Sequence, residues 1–535
     1  MKEEQSYKVY FLFLMSLGVC AALLLGIISY PQREIGSADM AAYAEIARSI
    51  TLGQPFQVGY VQHYFQKYET PFHPVDHYPP LKGVLIAPFF LILGVTPFAA
   101  ILPSLMIGTL LFPPVVFGMC RRLNCAPPVC FVAGLATLGY PLIVNHAGES
   151  LADLDQAFFV ACAIFSLLGR RTWKRPVLAG FWTALAFLAK TSGLFVIPGF
   201  SLFFLLDEKE RFTNRLKYLA VFLLFVFLVS SPWLLRNQVI YGDPLFSMNK
   251  HVAAMTDYCG IFEMVGPAVA MYWGEKPPTL ADVPSLYGYR RVAEVMWGRS
   301  LSVLKFLPFL GSVLLAPFFV RSRNVRLLCI VALSFSLFSV LTFAVHERYL
   351  LALFPVGICL TASLLNIAAK TLSAFLSRPS GEGGGGSPWQ IHRPEQVTTT
   401  LMLLSLCLFI GYFAESAEIV LGKYLVNRSV PTSYAYKVSE WIDGHLPEDA
   451  VVMTLSALEI RFYSGRYTLS PTSSGPEAYK KILNHYRVEY FAIPAFNPNP
   501  VFSPLYSACL AFLESPHFQG QLMEENKFFR IWRLG

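Results

Sequence analysis

The sequence predicts a mainly α-helical, polytopic membrane protein with a small α/β domain at its C-terminus. Of its 535 residues, 55% are hydrophobic and 14% are charged, whereas soluble domains contain about 25% charged residues. The mean hydropathy is +0.49, and long apolar runs alternate with short basic loops. This composition excludes an ordinary soluble enzyme and a disordered chain, because much of the sequence is suited to lipid rather than to water.

The charge and cysteine patterns exclude further classes of protein. The net charge is +8, but Lys and Arg occur in small groups between apolar runs, so we predict no nucleic-acid partner. The ten Cys residues have neither CxxC nor metal-ligand spacing, so we predict no disulfide framework and no metal site. The sequence also lacks a Walker or dinucleotide motif, and we predict no cofactor.

About eleven apolar runs qualify as membrane helices, because a bilayer core of about 30 Å needs about 20 apolar residues per helix. The first run lacks the small-residue cleavage site of a signal peptide, so we expect residues 1–30 to remain as a transmembrane anchor. The runs lie near 9–30, 98–119, 126–145, 156–169, 176–189, 192–206, 218–235, 300–320, 327–344, 349–369 and 398–419.

Basic groups set the predicted orientation of these runs. The groups begin at Arg121, Arg170, Lys209 and Arg321. They fall in alternate loops, so these loops and the N-terminus are predicted to be cytoplasmic. The apolar segment 81–94 is only about 21 Å long as a helix, so we expect it to be re-entrant or interfacial.

The gaps between the runs define the predicted domains. Residues 31–97 and 236–299 form two extracytoplasmic loops, and 98–235 and 300–419 hold transmembrane helices, with a Gly-rich cytoplasmic linker at 379–389. Residues 420–535 are predicted to form an extracytoplasmic α/β domain. Its predicted elements are a helix near Tyr434 to His445, strands at 450–455, 461–469 and 488–495, a helix at 476–486 and a weak edge strand at 528–534.

Asp39 opens a predicted interfacial helix just after the first membrane run. Tyr43 and Ile46 lie on the apolar face of this helix, while Glu45 and Arg48 point away from it. Asp39 could cap the helix, because an Asp side chain accepts hydrogen bonds from the first free N–H groups. It could also be a catalytic carboxylate, and residue spacing leaves both interpretations open.

A second acidic group lies at the outer lip of a membrane run. Glu149 and Asp153 either face a wet cavity or a cationic partner or are solvated loop acids, and the sequence leaves both interpretations open. Asp155 leads directly into an apolar helix, where an ionised carboxylate is costly. We therefore expect Asp155 to face a wet cavity or a cationic partner.

Cationic candidates lie in three outer segments. Lys82 follows two prolines at the expected height of the lipid headgroups, where a lysine either snorkels or binds a lipid phosphate. His346 and Arg348 lie at the outer end of a span, where a structural Glu–Arg pair and a phosphate site are equally compatible with the sequence. Arg290 belongs to a basic group in the second outer loop, and the alternative for that group is an exposed charged face.

Short motifs occur in a defined order along the chain. They are Asp39 followed by Tyr43 and Ala44, a PPL turn at 79–81, Asp155 at a helix start, KTSG at 190–193, SPWLLRN at 231–237, YGDPLF at 241–246, ERYLLALFP at 347–355 and FYSGR at 462–466. With these motifs the chain resembles the GT-C superfamily of membrane glycosyltransferases over nearly its whole length. The resemblance is to the branch of protein O-mannosyltransferases and of bacterial enzymes that transfer a sugar or aminoarabinose from a polyprenyl phosphate to lipid A or related glycans.

Two positions depart from the family pattern. The family often has two adjacent acids in the first outer loop, whereas Met40 follows Asp39 here. It often has a Lys before the two prolines, whereas this chain has Tyr78. Lys82 or His77 could substitute for that Lys.

The resemblance implies an inverting transfer from a polyprenyl-phosphate-sugar donor to a glycolipid, glycan or protein acceptor at the outer face of the plasma (inner) membrane. Asp39 would be the general base, and Asp155 would lie beside it to orient the acceptor or a nearby cation. The residues that would bind the donor phosphate are Lys82, Arg348, His346 and Arg290. Membrane lipids are the remaining expected partners. The alternatives from other classes are a transporter or lipid flippase, and a noncatalytic protein that binds envelope polymers.

Overall fold

The computed structural model of the chain consists mainly of helices. The residues that it describes are 2–64, 66–169, 172–207, 210–248, 322–342, 347–376, 412–472, 475–496 and 503–535.

Among the described residues up to 428, the regular structure is helical apart from three short strands. The strands are β1 (Gln57–Val58), β2 (Tyr60–Val61) and β3 (His73–Pro74). The helices are α1 (Lys2–Ser29), α2 (Ala38–Thr51), α3 (Leu81–Leu93), α4 (Pro97–Met106), α5 (Phe112–Arg122), α6 (Pro127–Leu138), α7 (Pro141–Ala147), α8 (Asp153–Leu167), α9 (Lys174–Ala189), α10 (Val196–Leu205), α11 (Phe212–Tyr241), α12 (Arg323–Thr342), α13 (Phe354–Leu376) and α14 (412–428).

Within the described residues, four helices are long and apolar enough to cross a bilayer, or five if α6 and α7 form one bent span. The bend of 53° between α6 and α7 follows Gly139, because Pro141 lacks the N–H that would continue the helix. The predicted run 300–320 lies outside the described residues, as does most of 398–419. The total of eleven spans stays a prediction. The four helices are Glu3–Ser29, Pro97–Arg122, Phe212–Tyr241 and Leu350–Thr371.

Helix α8 is the centre of the helical part. Almost all of its side chains are buried against α5, α9 and the 3₁₀ turn Glu347–Leu353. Helix α9 in turn packs closely on α11, since a Cβ at Gly180 would lie 2.5 Å from the carbonyl oxygen of Phe222. Helices α8 and α9 have 15 and 16 residues, so each is shorter than a full membrane span.

Basic side chains gather at the C-terminal end of α8, which we call the basic end. Arg122 donates to the carbonyl oxygens of Phe165 and Leu168, and Arg175 also donates to Leu168. The last carbonyl groups of a helix have no partner within the helix, so guanidinium groups are suited to them. Members of two of the predicted cytoplasmic groups therefore meet at one end of α8, about 20 Å from Asp153 and Asp155 at its other end.

Residues 434–534 form a second body, which we call the C-terminal unit. It contains the helices α15 (Tyr434–His445), α16 (Ala457–Ser464), α17 (Pro476–Tyr486) and α18 (Ser503–Leu513). Its strands are β4 (Val451–Thr454), β5 (Tyr467–Leu469), β6 (Tyr490–Pro494), β7 (Gly520–Glu525) and β8 (Phe529–Leu534). The strand order of the sheet is β2, β5, β4, β6, β8, β7, with the first four strands parallel and β7 and β8 antiparallel to their neighbours.

Two strand predictions in this unit were wrong in detail. The predicted strand 461–469 is largely helix α16, which ends at Gly465 with a φ of +69°, and only Tyr467–Leu469 is extended. The predicted edge strand at 528–534 is β8, which pairs on both sides. Strand β7 covers its outer edge, and the mostly exposed β7 lacks the alternation that marks a half-buried strand.

Candidate functional site

Asp39 lies in the first turn of α2 but does not cap it. The cap is Ser37, whose side chain accepts from the backbone N–H of Met40. The Asp39 carboxylate instead receives two side-chain hydrogen bonds. Tyr78 donates its hydroxyl to Oδ1 at 2.7 Å, and Arg348 donates Nη2 to Oδ2 at 3.2 Å. The capping interpretation of Asp39 was therefore wrong, and both carboxylate oxygens are oriented by distant parts of the chain.

Tyr78 is placed by the two prolines that precede α3. Its ring packs on Tyr43 of α2, with ring centroids 4.8 Å apart. Burial raises the pKa of Tyr78 well above its ordinary value, and the Asp39 charge adds to this effect. Tyr78 therefore stays protonated and remains a hydrogen-bond donor to Asp39.

Asp155 and Lys82 form a fully buried ion pair. Lys82 Nζ lies 2.7 Å from Asp155 Oδ2 and 2.6 Å from Ser104 Oγ. Both charged side chains have no exposed surface. Asp155 faces a cationic partner, as expected, but Lys82 is fully buried and does not snorkel. Its ammonium points inward because a buried carboxylate without a counter-charge would be costly.

Asp153 and Glu149 are paired rather than solvated. Lys190 donates Nζ to Asp153 Oδ1, and the Asp153 side chain is buried. Glu149 lies 2.7 Å from His146 Nδ1 and 2.9 Å from the side-chain nitrogen of Asn145. Of the two interpretations, the structure therefore agrees with acids that face a partner and not with solvated loop residues.

The three acids on α2 and α8 lie around one aromatic side chain. The charges of Asp39, Asp153, Asp155 and Arg348 all act on the buried phenol of Tyr43. We call this cluster, at the N-terminal end of α8, the site end. The exposed fraction of the carboxylate side chain is 34% for Asp39, 4% for Asp153 and 0% for Asp155. Asp39 is therefore the acid of this cluster that a dissolved or lipid-borne substrate can reach.

Two of the predicted phosphate-binding residues, His346 and Arg290, lie outside the described residues. Arg348 lies within them and contacts Asp39. Among the described residues, no three His, Cys, Asp or Glu side chains lie close enough together to hold a metal ion.

A narrow cleft opens beside Tyr78. Aromatic and polar side chains line its walls. Its lining includes Asp76, Phe187, Thr191, Trp233, Asn237 and Phe246.

Part of the sequence matches a known glycosyltransferase family. The family described as dolichyl-phosphate-mannose-protein mannosyltransferase, PMT_2, matches residues 76–235. This stretch contains Tyr78, Lys82, Asp153, Asp155 and Lys190 of the site end. No curated protein sequence matches the chain.

Several solved structures share the fold over nearly the whole chain. ArnT from Cupriavidus metallidurans, bound to undecaprenyl phosphate, is 15% identical with a TM-score of 0.58 over 97% of each chain. The archaeal oligosaccharyltransferase AglB from Archaeoglobus fulgidus, in complex with an inhibitory peptide and a dolichol-phosphate, is 13% identical. Its TM-score is 0.60, over 95% of this chain and 73% of that one. The arabinofuranosyltransferase AftD from Mycobacteria is 12% identical with a TM-score of 0.51, over 97% of this chain and 41% of that one. At these identities the likeness establishes the fold, and the family match adds the sequence relationship.

The chain therefore shares the fold of GT-C glycosyltransferases, and its residues 76–235 match one family of them. Its apolar helices, together with this fold, support a multi-pass membrane protein. The fold and the family match agree with the resemblance read from the short motifs.

Sequence reasoning missed two features of this site. Glu45 and Arg48 of α2 do not point into solvent, because Glu45 is 1% exposed and pairs with Arg461 of the C-terminal unit. Glu459 also lies near the site, and burial raises its pKa to about 7 with a smaller contribution from the Asp39 charge. The spacing of Ser456 and Glu459 is typical of a helix start and would have predicted α16.

Proposed function

We propose that this enzyme transfers a sugar from a polyprenyl-phosphate-linked donor to an acceptor at the outer face of the membrane, with inversion, and that Asp39 is the general base. The observation that carries this proposal is the contrast among the three acids of the site end. Asp153 and Asp155 are buried in ion pairs, while Asp39 is one-third exposed and held by two donors. A base must reach the proton that it removes, and Asp39 has that access.

In the proposed step, Asp39 accepts the proton of an acceptor hydroxyl while the hydroxyl oxygen bonds to the anomeric carbon of the sugar. The bond between that carbon and the phosphate oxygen breaks and leaves its electron pair on the phosphate. Polyprenyl phosphate then departs as an anion. Direct displacement of this kind inverts the configuration of the anomeric carbon.

Arg348 and Tyr78 have different roles in this scheme. Tyr78 is a neutral donor that orients the Asp39 carboxylate without adding charge. Arg348 is partly exposed and carries a positive charge beside Asp39, so it is suited to stabilise the negative charge that grows on the leaving phosphate. We keep Arg290 and His346 as further proposed contacts of the donor phosphate.

The buried Lys82–Asp155 pair stabilises the structure of the site. Contact between Lys82 and a lipid phosphate would require Lys82 to leave Asp155, which would then be a buried carboxylate without a counter-charge. We therefore propose that Lys82 holds Asp155 and α8 in place, and that Arg348 takes the phosphate role first expected of Lys82.

The ligands of the structural relatives support the donor class. ArnT is bound to undecaprenyl phosphate, and AglB is in complex with a dolichol-phosphate and an inhibitory peptide. Both lipids are long polyprenyl phosphates. The acceptor is a glycolipid such as lipid A, another envelope glycan or a protein, and these remain alternatives within one proposed reaction.

The test is a transfer assay with the full-length enzyme in liposomes. Radiolabelled undecaprenyl-phosphate-linked sugars are supplied one at a time with lipid A, an envelope glycan fraction or a hydroxyl-bearing peptide. We expect one combination to give labelled product, and Asp39→Asn to lower its rate about 1,000-fold, within the range of general-base contributions. Asp443→Asn, at a carboxylate side chain that is 68% exposed, is the matched control and should keep full activity.

Either of two results would contradict the proposal. Equal transfer rates for the wild type and Asp39→Asn would exclude Asp39 as the base. If purified, folded wild-type enzyme transfers sugar from no polyprenyl-phosphate donor, the proposed donor class is excluded.

A further inference from the structure

The first outer loop contributes a strand to the sheet of the C-terminal unit. Strand β2 pairs in parallel with β5, in the register Tyr60 with Thr468 and Val61 with Leu469. The backbone N–H of Ser470 donates to the carbonyl oxygen of Val61 at 2.9 Å. The sheet is therefore completed by the same loop that carries Asp39, although more than 400 residues separate the two segments in the chain.

A buried ionic network joins the same two parts of the molecule. Arg461 of α16 donates Nε to Glu45 Oε1 at 2.7 Å, and Arg48 donates Nη1 to Glu45 Oε2 at 3.1 Å. Arg48 also donates to the carbonyl oxygens of Arg461, at 2.9 Å, and of Phe462. Helix α2 is thus bonded to both the side chain and the backbone of α16.

The C-terminal unit also holds the chain just before α2. The hydroxyl of Tyr463 accepts from the backbone N–H of Ile35 at 2.5 Å, and the Glu34 carboxylate accepts from the backbone N–H of Ser433 at 3.2 Å. Asp39 lies between these contacts and Glu45. A helix is rigid over one or two turns, and Glu45 is about 9 Å along the axis from Asp39. Fixing the chain on both sides of Asp39 therefore fixes its backbone, from which Tyr78 and Arg348 orient the carboxylate.

The packing around Arg461 leaves little freedom to move. A Cβ at Gly59 would lie 2.5 Å from Arg461 Nε, so the guanidinium rests directly on the backbone of the first loop. The guanidinium also lies over the ring of Tyr467, 5.2 Å from its centroid. Glu45 and Arg461 are both largely buried. Removal of Glu45 would take away the carboxylate that pairs with Arg461, whereas removal of Arg461 would leave Arg48 as the cation beside Glu45.

We propose that Arg461 is a positioning residue: through Glu45 and Arg48 it couples the C-terminal unit to α2 and sets the place of Asp39 for proton transfer. This inference rests on the proposed role of Asp39. The C-terminal unit is thereby an integral part of the active site, and its contribution to turnover is made without contact between Arg461 and substrate.

The test is a double-mutant cycle between Arg461 and Asp39 in the transfer assay. We expect Arg461→Gln to lower kcat about 30-fold while the donor KM changes less than about 3-fold, because a displacement of about 1 Å at a catalytic group costs up to 100-fold. In the Asp39→Asn background the same substitution should lower the residual kcat less than about 2-fold, since the base that it positions is absent. Arg461→Lys should recover part of the wild-type rate.

The matched control is Arg466→Gln. Arg466 lies after the same helix and bonds to Asp443, Leu446 and Pro447, all within the C-terminal unit. Any general damage to this unit should affect both variants, so their apparent Tm values in detergent are compared first. Hydrogen exchange over 38–51 gives a readout independent of activity. It should be faster in Arg461→Gln than in the wild type and unchanged in Arg466→Gln.

Three outcomes would overturn the inference. The first is wild-type kcat in Arg461→Gln, and the second is an equal fold-loss in the presence and absence of Asp39. The third is a similar loss of kcat in Arg466→Gln. Failure of the proposed function has a different signature, namely a folded wild-type enzyme with no transfer from any polyprenyl-phosphate donor. In that case the exchange measurement decides the inference, and unchanged exchange over 38–51 in Arg461→Gln would reject the coupling.

Discussion

The two ends of α8 use basic side chains in different ways. At the basic end, Arg122 and Arg175 donate to backbone carbonyl groups of α8 and its C-terminal flank, although Arg323 also pairs with Asp207. At the site end, Lys82, Lys190 and Arg348 each pair with a carboxylate brought from another segment. Bonds to carbonyl groups fasten a helix end, whereas pairs of ionisable groups can exchange protons and partners.

This difference supports the proposal that the site end, and not the basic end, is catalytic. Both ends contain cations between apolar runs, and composition alone does not separate them. The site end also has three acids at graded depth, from the fully buried Asp155 to the one-third exposed Asp39. The buried acids hold the helices rigidly in place, and Asp39 remains accessible to substrate. This is the arrangement that a general base requires.

The largest expected effect on stability is at the buried pair of the site end. Lys82→Met leaves Asp155 without a counter-charge, and its Oδ1 already has no hydrogen-bond partner among the described residues. We expect a loss of about 3–5 kcal/mol in the free energy of unfolding, measured by denaturant unfolding in detergent. The double variant Lys82→Met with Asp155→Asn should regain much of this loss. If Lys82→Met is as stable as the wild type, the pair does not support the site.

The substitution Tyr78→Phe tests the site end by removing one hydrogen-bond donor to Asp39 while the shape of the side chain is kept. A hydrogen bond to a charged group contributes about 1.5–3 kcal/mol, so we expect the transfer rate to fall at least about 10-fold. The apparent Tm should change little, because the ring still packs on Tyr43. Transfer at the wild-type rate would show that Asp39 is positioned without Tyr78.

At the basic end, Arg122→Gln should change stability but not turnover. The guanidinium bonds to two carbonyl groups and lies 3.5 Å from the centroid of the Phe165 ring. We expect a loss of about 1–1.5 kcal/mol in unfolding free energy, with transfer per folded molecule within about 2-fold of the wild type. A large fall in turnover would mean that the two ends of α8 are coupled, and it would contradict the distinction drawn between them.

Glu459 gives a smaller, pH-dependent effect. Its pKa is raised from the ordinary value of 4.5 to about 7, so the folded chain binds more protons than the unfolded chain between these values. Stability should therefore fall as the pH rises through this window and level off above it. Glu459→Gln should remove the dependence and be more stable than the wild type at pH 8 by about 1 kcal/mol. Parallel Tm curves for the two proteins from pH 5 to pH 8 would contradict this.

The sequence was sufficient for the helical fold and for the expectation that Asp155 meets a cation, whereas the catalytic roles of Asp39 and Asp155 stay predictions. Each of these depends on local composition or on a short motif. The sequence did not predict that Lys82 pairs with Asp155. The direction of a lysine side chain at the end of an apolar segment depends on which acid the fold places next to it.

Other errors have the same physical origin. Glu45 and Arg48 lie opposite the apolar face of α2, which on an isolated helix predicts exposure. They are buried because α16 covers that face and brings Arg461 to it. No local pattern reveals a partner from more than 400 residues away, and the same is true of the strand that β2 adds to the C-terminal sheet.

The most direct test of the central claim separates donor binding from chemistry in Asp39→Asn. Donor affinity is measured by equilibrium binding of the radiolabelled lipid, and transfer is followed in a single turnover with donor already bound. We predict a donor Kd within about 3-fold of the wild-type value and a single-turnover rate about 1,000-fold lower. A wild-type rate, or a rate that falls only because donor binding is lost, would contradict the assignment of Asp39 as the base.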